Sequence, residues 1–278
     1  MNDDIYLSTI LRKYDTFQGT TLTPAMIASE FTQLIYEWGG PSLQLIAPVG
    51  SCVKGTATSL SSDLDLLLSF TSLDGVPNTN TRTRLKWKRN ERDFHHETRE
   101  LYESLRNLVR THGFTFHSRR VAVQIIYSGL RIDIVPAIQV PDKRGYHWVR
   151  HDYVSDNDIN RAMTNVNMQA QLIRSASLAN EIRLLKIWRD LRSIHLPSLY
   201  LELLAIGALG ARKRTSLSAD LRYALRWLGT AIARAVIVDP ANHKNVLSEY
   251  LLTAGEKWFI ASSAIQSSRE RSIDQIVW

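Results

Sequence analysis

Asp63 and Asp65 stand one residue apart in Ser62-Asp63-Leu64-Asp65-Leu66, just after the run Val49-Gly50-Ser51-Cys52-Val53-Lys54-Gly55-Thr56. Side chains alternate along a strand, so the two carboxylates point one way while Leu64, Leu66 and Leu68 point into a core. Carboxylates held that close repel each other unless a cation lies between them. Mg2+ suits the role, because it binds through a few carboxylates and completes its shell with phosphate oxygens. A third acid follows. Val121 to Tyr127 reads as a strand, Ser128-Gly129 as a two-residue turn and Leu130 to Val135 as the return strand. On the return strand Leu130, Ile132 and Ile134 share one face, and Arg131, Asp133 and Val135 the other. Asp133 is then a charge among β-branched residues, costly to leave without a partner. A glycine-serine pair alone is usually a turn, and Asp-x-Asp alone is usually a solvated strand edge. In this order, the pieces are those of a nucleotidyl-transfer site.

The elements that must position these residues divide near the middle of the chain. Thr23 caps a helix that Pro24 starts, and Ile27, Phe31, Leu34 and Trp38 keep helical spacing along it. Gly39-Gly40-Pro41 ends it. Leu43 to Pro48 forms a first strand and Ser62 to Phe70 a second, followed by a polar loop from Ser72 to Thr83. Phe94, Leu101, Leu105 and Leu108 mark another helix, closed at His112-Gly113. From about Asp156 strand signals nearly vanish. Leu178, Ile182, Leu185 and Trp188 make one helical stripe, and Leu217, Leu221, Leu225, Leu228 and Ile232 another. This predicts an α/β catalytic lobe over residues 1–155 and a helical lobe over 156–278, with N-terminal helices packing on the latter and a nucleotide in the cleft between the lobes.

Gly50-Ser51, Asp63-x-Asp65 and a later strand with a single Asp133 together resemble the DNA polymerase β-like nucleotidyltransferase superfamily. Lys54-Gly55-Thr56-Ala57 and Ser61-Ser62-Asp63 look like the branch holding 2′–5′-oligoadenylate synthetases, bacterial cyclic-oligonucleotide synthases (CD-NTases) and archaeal CCA-adding enzymes. Three later segments agree: Ile182 to Trp188, Leu196 to Leu203, and Val238 to Val246 with its Asp239-Pro240 and Asn245-Val246. The resemblance implies a mixed central sheet followed by a helical lobe. It also implies a two-metal reaction in which Asp63 and Asp65 bind Mg2+ or Mn2+ and Asp133 completes a second ion site. Gly50 and Ser51 would cradle the β- and γ-phosphates of the NTP substrate through backbone N–H groups. Lys186 and Ser198 would hold the triphosphate by resemblance. Each has another reading: Lys186 as a solvated helix face, Ser198 as an N-cap after Pro197. Lys54 either reaches phosphate or faces solvent. Gly55 is a matter of backbone conformation, Asp239-Pro240 a turn, and Asn245 a cap or turn residue.

Composition narrows the class. The chain has 278 residues, 44% hydrophobic and 22% charged, long enough for two lobes and typical of a globular protein. No apolar run reaches membrane-spanning length and no signal architecture opens the sequence, so cytoplasm is expected. The single cysteine, Cys52, excludes an internal disulfide framework. His147 and His151 stand at helical spacing but lack a glutamate motif, which argues against zinc. A net charge of +7 suits polyanionic partners. The stretch Arg82 to Arg92 either lines a polyanion groove, contacting a nucleic-acid acceptor or activator, or is a solvated loop. Three functions follow from these residues. The leading one is NTP-dependent synthesis of a cyclic or linear signalling oligonucleotide with release of pyrophosphate, of the antiphage type by resemblance. The others are nucleotide addition to an RNA 3′ end and a non-catalytic regulatory module on the same fold.

Overall fold

A computed structural model describes residues 2–15, 24–60, 63–79, 91–127, 130–150 and 162–278, with the backbone alone for 24–30 and 91–92. The expectations for Thr23, Ser61-Ser62, Arg82 to Arg89, the Ser128-Gly129 turn, His151 and the boundary after residue 155 lie outside the described residues. Its strands are β1 (Leu43–Val49), β2 (Leu64–Phe70), β3 (Phe116–Ser118), β4 (Val123–Tyr127), β5 (Leu130–Gln139), β6 (His147–Val149), β7 (Met163–Thr164), β8 (Val238–Asp239) and β9 (Asn242–Val246). Its helices are α1 (Asp3–Lys13), α2 (Pro24–Gly39), α3 (Gly50–Lys54), α4 (Glu91–Thr111), α5 (Val166–Ser175), α6 (Ala179–Leu191), α7 (Ser198–Leu209), α8 (Leu217–Ala231), α9 (Leu247–Tyr250) and α10 (Ala254–Ser268). The chain forms two units. One comprises Thr20–Cys52 and Asp63–Met168, the other Met1–Gly19, Val53–Ser62 and Gln169–Trp278.

The first unit is built on a mixed sheet ordered β1-β2-β5-β4-β3, with β6 and β7 continuing from the far end of β5. β2 runs parallel to β5 and antiparallel to β1, while β4 and β6 pair antiparallel with β5. The leucine-rich sequence of β2 is what a strand covered on both faces needs. Leu64, Leu66, Leu68 and Phe70 enter a core with Ile132, Ile134 and Ile138 of β5, and with Leu101, Tyr102, Leu105 and Val109 of α4. Leu67 turns the other way, toward Val49 and Ala137. The predicted end of the return strand at Val135 is corrected: β5 runs on through Pro136 to Gln139. β4 pairs with Leu130 to Ile134 and β6 with Ala137 to Gln139, so on that side Pro136 falls where one neighbour gives way to the other, while on the other side it stands opposite Leu68 of β2. His147 lies in β6 with its Nε2 2.8 Å from Ser69 Oγ, so its apparent helical spacing from His151 has no helix beneath it.

In the second unit the two apolar stripes become α6 and α8, packed with α1, α7 and α10 around one core. Ile182, Leu185 and Trp188 meet Leu221, Leu225 and Leu228 there, joined by Leu7, Ile10 and Leu11 of α1. Strand structure does not stop where its sequence signal fades. β8 and β9 form a small hairpin around Asp239, whose carboxylate accepts hydrogen bonds from Gln169 Nε2 (3.0 Å), the Ala241 N–H (2.9 Å) and Asn245 Nδ2 (3.2 Å). Among the described residues no helix is long and apolar enough to cross a membrane.

A buried ionic knot ties three segments of this unit. Glu202 of α7 is 0% exposed and accepts from Lys54 Nζ at 2.9 Å, Lys186 Nζ at 2.7 Å and Thr56 Oγ1 at 2.8 Å. Lys186 is 1% exposed and donates also to Thr56 Oγ1, at 3.0 Å. Removing one partner of such a group leaves charge buried without compensation, at a cost of about 3–5 kcal/mol. Glu202→Gln strands two lysines at once, so it should lower the unfolding free energy by about that amount in urea titrations. A loss below about 1 kcal/mol would show that the lysines find other acceptors.

Candidate active site

Strand register brings the acids together. Asp65 of β2 is the parallel partner of Asp133 of β5, and Gln124 of β4 is the antiparallel partner of the same Asp133. Directly paired residues project to the same face of a sheet. Three adjacent strands therefore present carboxylate, carboxylate and amide side by side. Asp63, just before β2, joins them through Gln124: the amide Nε2 donates to Asp63 Oδ2 at 2.8 Å and to Asp133 Oδ1 at 2.9 Å. Gln124 Oε1 accepts from Arg119 at 2.8 Å, which fixes the orientation of the amide. Arg131 Nε lies 2.7 Å from Asp63 Oδ1. That oxygen is buried and accepts no well-aligned hydrogen bond, so the Arg131 contact is ionic in character.

Burial, then the charge of Asp133, pushes the Asp63 carboxyl above the usual range, while Arg131, Arg119 and Gln124 pull it down. Burial raises Asp133 as well, against the Gln124 hydrogen bond and the two arginines. Among the described residues no three His, Cys, Asp or Glu side chains are gathered into a ready-made metal cage. The donor chemistry nevertheless fits a hard divalent ion: carboxylate oxygens only, two of the groups raised by burial, and one buried oxygen short of a hydrogen bond.

Gly50 is bound to this site by sterics. Its φ is +70°, and a Cβ built there would lie 1.8 Å from Asp65 Oδ2. Only glycine both adopts that conformation and lets the carboxylate lie against the backbone. The expected glycine-serine turn is the first residue pair of the short helix α3, with Ser51 half-buried on it. Gly55 has φ +74° and open space where a Cβ would be, so backbone conformation accounts for it.

The remaining candidates belong to the other unit. Neither the solvated helix face for Lys186 nor the solvent-facing reading of Lys54 holds, since both ammonium groups are buried on Glu202. Burial lowers the Lys186 pKa, and Glu202 opposes that shift. The charges of Lys186 and Lys54 hold Glu202 below the usual carboxylate range despite its burial. Ser198 is not an N-cap: Pro197 takes that position, and the exposed Ser198 hydroxyl accepts from Arg189 at 3.1 Å. Gln124, Arg119, Arg131, Thr56 and Glu202 are the participants whose contacts sequence reasoning did not assign.

An acid whose native pKa is raised holds its proton more tightly in the folded than in the unfolded chain. Its contribution to stability is then lost as pH rises from the unfolded carboxyl value through the native one. Without divalent ions, Asp133→Asn should melt a few degrees above the parent at neutral pH, and the difference should vanish below about pH 4. Thermal melts in chelator across that range check it; a less stable variant at neutral pH refutes the sign.

No protein-family model matches the chain. Over 161 residues it is 27% identical to the CBASS oligonucleotide cyclase CdnC of Escherichia coli (strain KTE188), a match covering 55% of this chain and 50% of that protein. The chain thus spans about half the length of the curated relatives it matches. In structure it superposes on E. coli MS115-1 CdnC with ATP at a TM-score of 0.67 and 17% identity, over 96% of this chain and 90% of that one. The Bradyrhizobium diazoefficiens CD-NTase CdnG with GTP gives 0.68 at 13% identity, over 95% and 91%. In sequence and in fold, the chain resembles the CD-NTase branch of the DNA polymerase β-like nucleotidyltransferases.

Proposed function

We propose that this protein is a metal-dependent nucleotidyltransferase that joins NTPs into a small cyclic or linear signalling oligonucleotide and releases pyrophosphate. The observation that carries this reading is the pairing of Asp65 with Asp133 on adjacent parallel strands, with Asp63 joined to Asp133 through one amide. Phosphoryl transfer asks a protein mainly to position groups and neutralise charge. Asp63, Asp65 and Asp133 would hold Mg2+ or Mn2+, which when bound polarises phosphate oxygens and eases deprotonation of the attacking hydroxyl. Gly50 keeps the Asp65 carboxylate in place by offering no Cβ, and Ser51 beside it supplies a hydroxyl and an N–H for phosphate oxygens. Gln124 holds Asp63 and Asp133 in mutual orientation.

Lys54 and Lys186 are positive charges held against Glu202, two ammonium groups on one carboxylate. That surplus of positive charge, with Ser198 and Arg189 as further polar groups of the same unit, would suit a phosphate-bearing ligand of this unit. NTPs as the substrates are supported by the same resemblance, since E. coli CdnC is solved with ATP and the CD-NTase CdnG with GTP. The CBASS cyclase similarity supports a role in antiphage signalling. E. coli CdnC has also been solved in a complex with HORMA, which supports testing a protein activator here.

Purified protein with labelled NTPs and Mg2+ or Mn2+ should yield a small, phosphatase-resistant product without RNA. Asp63→Asn and Asp65→Asn should each reduce its rate by a factor of about a hundred or more, as loss of an ion ligand implies. Label appearing on added RNA alone would make the enzyme a 3′-end nucleotidyltransferase. Absence of turnover with every NTP, metal and candidate activator would leave the non-catalytic module.

A further inference from the structure

The acid site contains two kinds of partner with opposite relations to a divalent ion. Gln124 is neutral, 2% exposed, and spends each amide hydrogen on a different carboxylate. A carboxylate oxygen has two lone pairs, so it can accept from Gln124 and still coordinate an ion through the other. Arg131 is different. It is a full positive charge seated 2.7 Å from Asp63 Oδ1, the buried oxygen without a well-aligned hydrogen bond. Guanidinium and a divalent cation cannot share that oxygen without strong repulsion. Arg131 is also 46% exposed, so its side chain has room to leave. Arg119 donates to the amide oxygen of Gln124 and so occupies neither carboxylate, although its charge acts on both acids.

Resting on the assignment of Asp63, Asp65 and Asp133 as the ion-binding acids, we infer that Arg131 is a specificity-determining residue: an internal counter-ion that competes with the free divalent ion and favours the metal–nucleotide complex. A free ion must displace the guanidinium from Asp63 with nothing offered in return. An ion arriving on a triphosphate brings phosphate oxygens on which the displaced guanidinium can pair, bidentate if geometry allows. Gln124 is a positioning residue in the same arrangement, orienting two ligands without competing for their charge.

The test is Mn2+ binding measured by electron paramagnetic resonance, with folding of each variant verified by circular dichroism. Arg131→Gln should bind free Mn2+ about five- to tenfold more tightly than the parent, while its KM for Mn2+–NTP rises. Gln124→Leu should weaken Mn2+ binding about ten- to a hundredfold, the usual effect of removing a group that orients metal ligands. Unchanged or weaker Mn2+ binding in Arg131→Gln overturns the inference. The underlying assignment has its own control: Asp63→Asn and Asp133→Asn must lose Mn2+ affinity, and if they bind like the parent the acids are not the ion site. If no variant and no parent protein binds Mn2+, assignment and inference fall together.

Discussion

The parallel pairing of β2 with β5 is the constraint on which the candidate site rests. It sets Asp65 opposite Asp133 and, through the β4 register, Gln124 on the other side of Asp133. A shift of one residue in either pairing would send one of these side chains to the opposite face of the sheet. The register is defended by apolar burial: Leu64, Leu66, Leu68 and Phe70 must meet Ile132, Ile134 and Ile138 in the same core. Apolar packing on one face therefore fixes the spacing of charge on the other. The charged face gains nothing from this by itself, because burial disfavours both ionised acids and the charge of Asp133 adds to the cost at Asp63. Gln124, Arg119 and Arg131 moderate that cost.

The helical unit handles charge by a different route. Lys54, Lys186 and Glu202 are all withdrawn from water, and Glu202 with the Thr56 hydroxyl accounts for the hydrogen bonds of both ammonium groups that face inward. Such a cluster contributes little net stability compared with an apolar replacement, yet it demands one arrangement of three segments. Lys54-Gly55-Thr56 is held on α6 and α7 by this demand, and the left-handed Gly55 lets two successive contacts reach the same carboxylate.

Much of this was legible in the residues themselves, and the exceptions have physical causes. The alternation around Asp63, Asp65 and Asp133 and the helical stripes of α6 and α8 are patterns that burial imposes on sequence, and they emerged as read. Gln124 was within reach of the same reasoning. Counting outward from a two-residue turn after Tyr127 pairs residue 124 with 133, which is the observed register. The burial of Lys186 and Lys54 was not legible, because a lysine carries no local sign of a distant carboxylate; Glu202 lies 16 and 148 residues away. Pro136 misled for the reverse reason, since a residue that lacks a donor reads as a strand end unless the neighbouring strands are known.

That proline has a consequence for how the sheet assembles. Beyond Ile134, β5 offers the β4 side no ladder until Ala137, where β6 takes over. A β4 hairpin sliding toward that end would meet a backbone position with nothing to donate, so mispairing in that direction carries its own penalty. Pro136 thus marks the changeover between two neighbours of β5, and Gln124 lies beside Asp133 on the near side of that changeover.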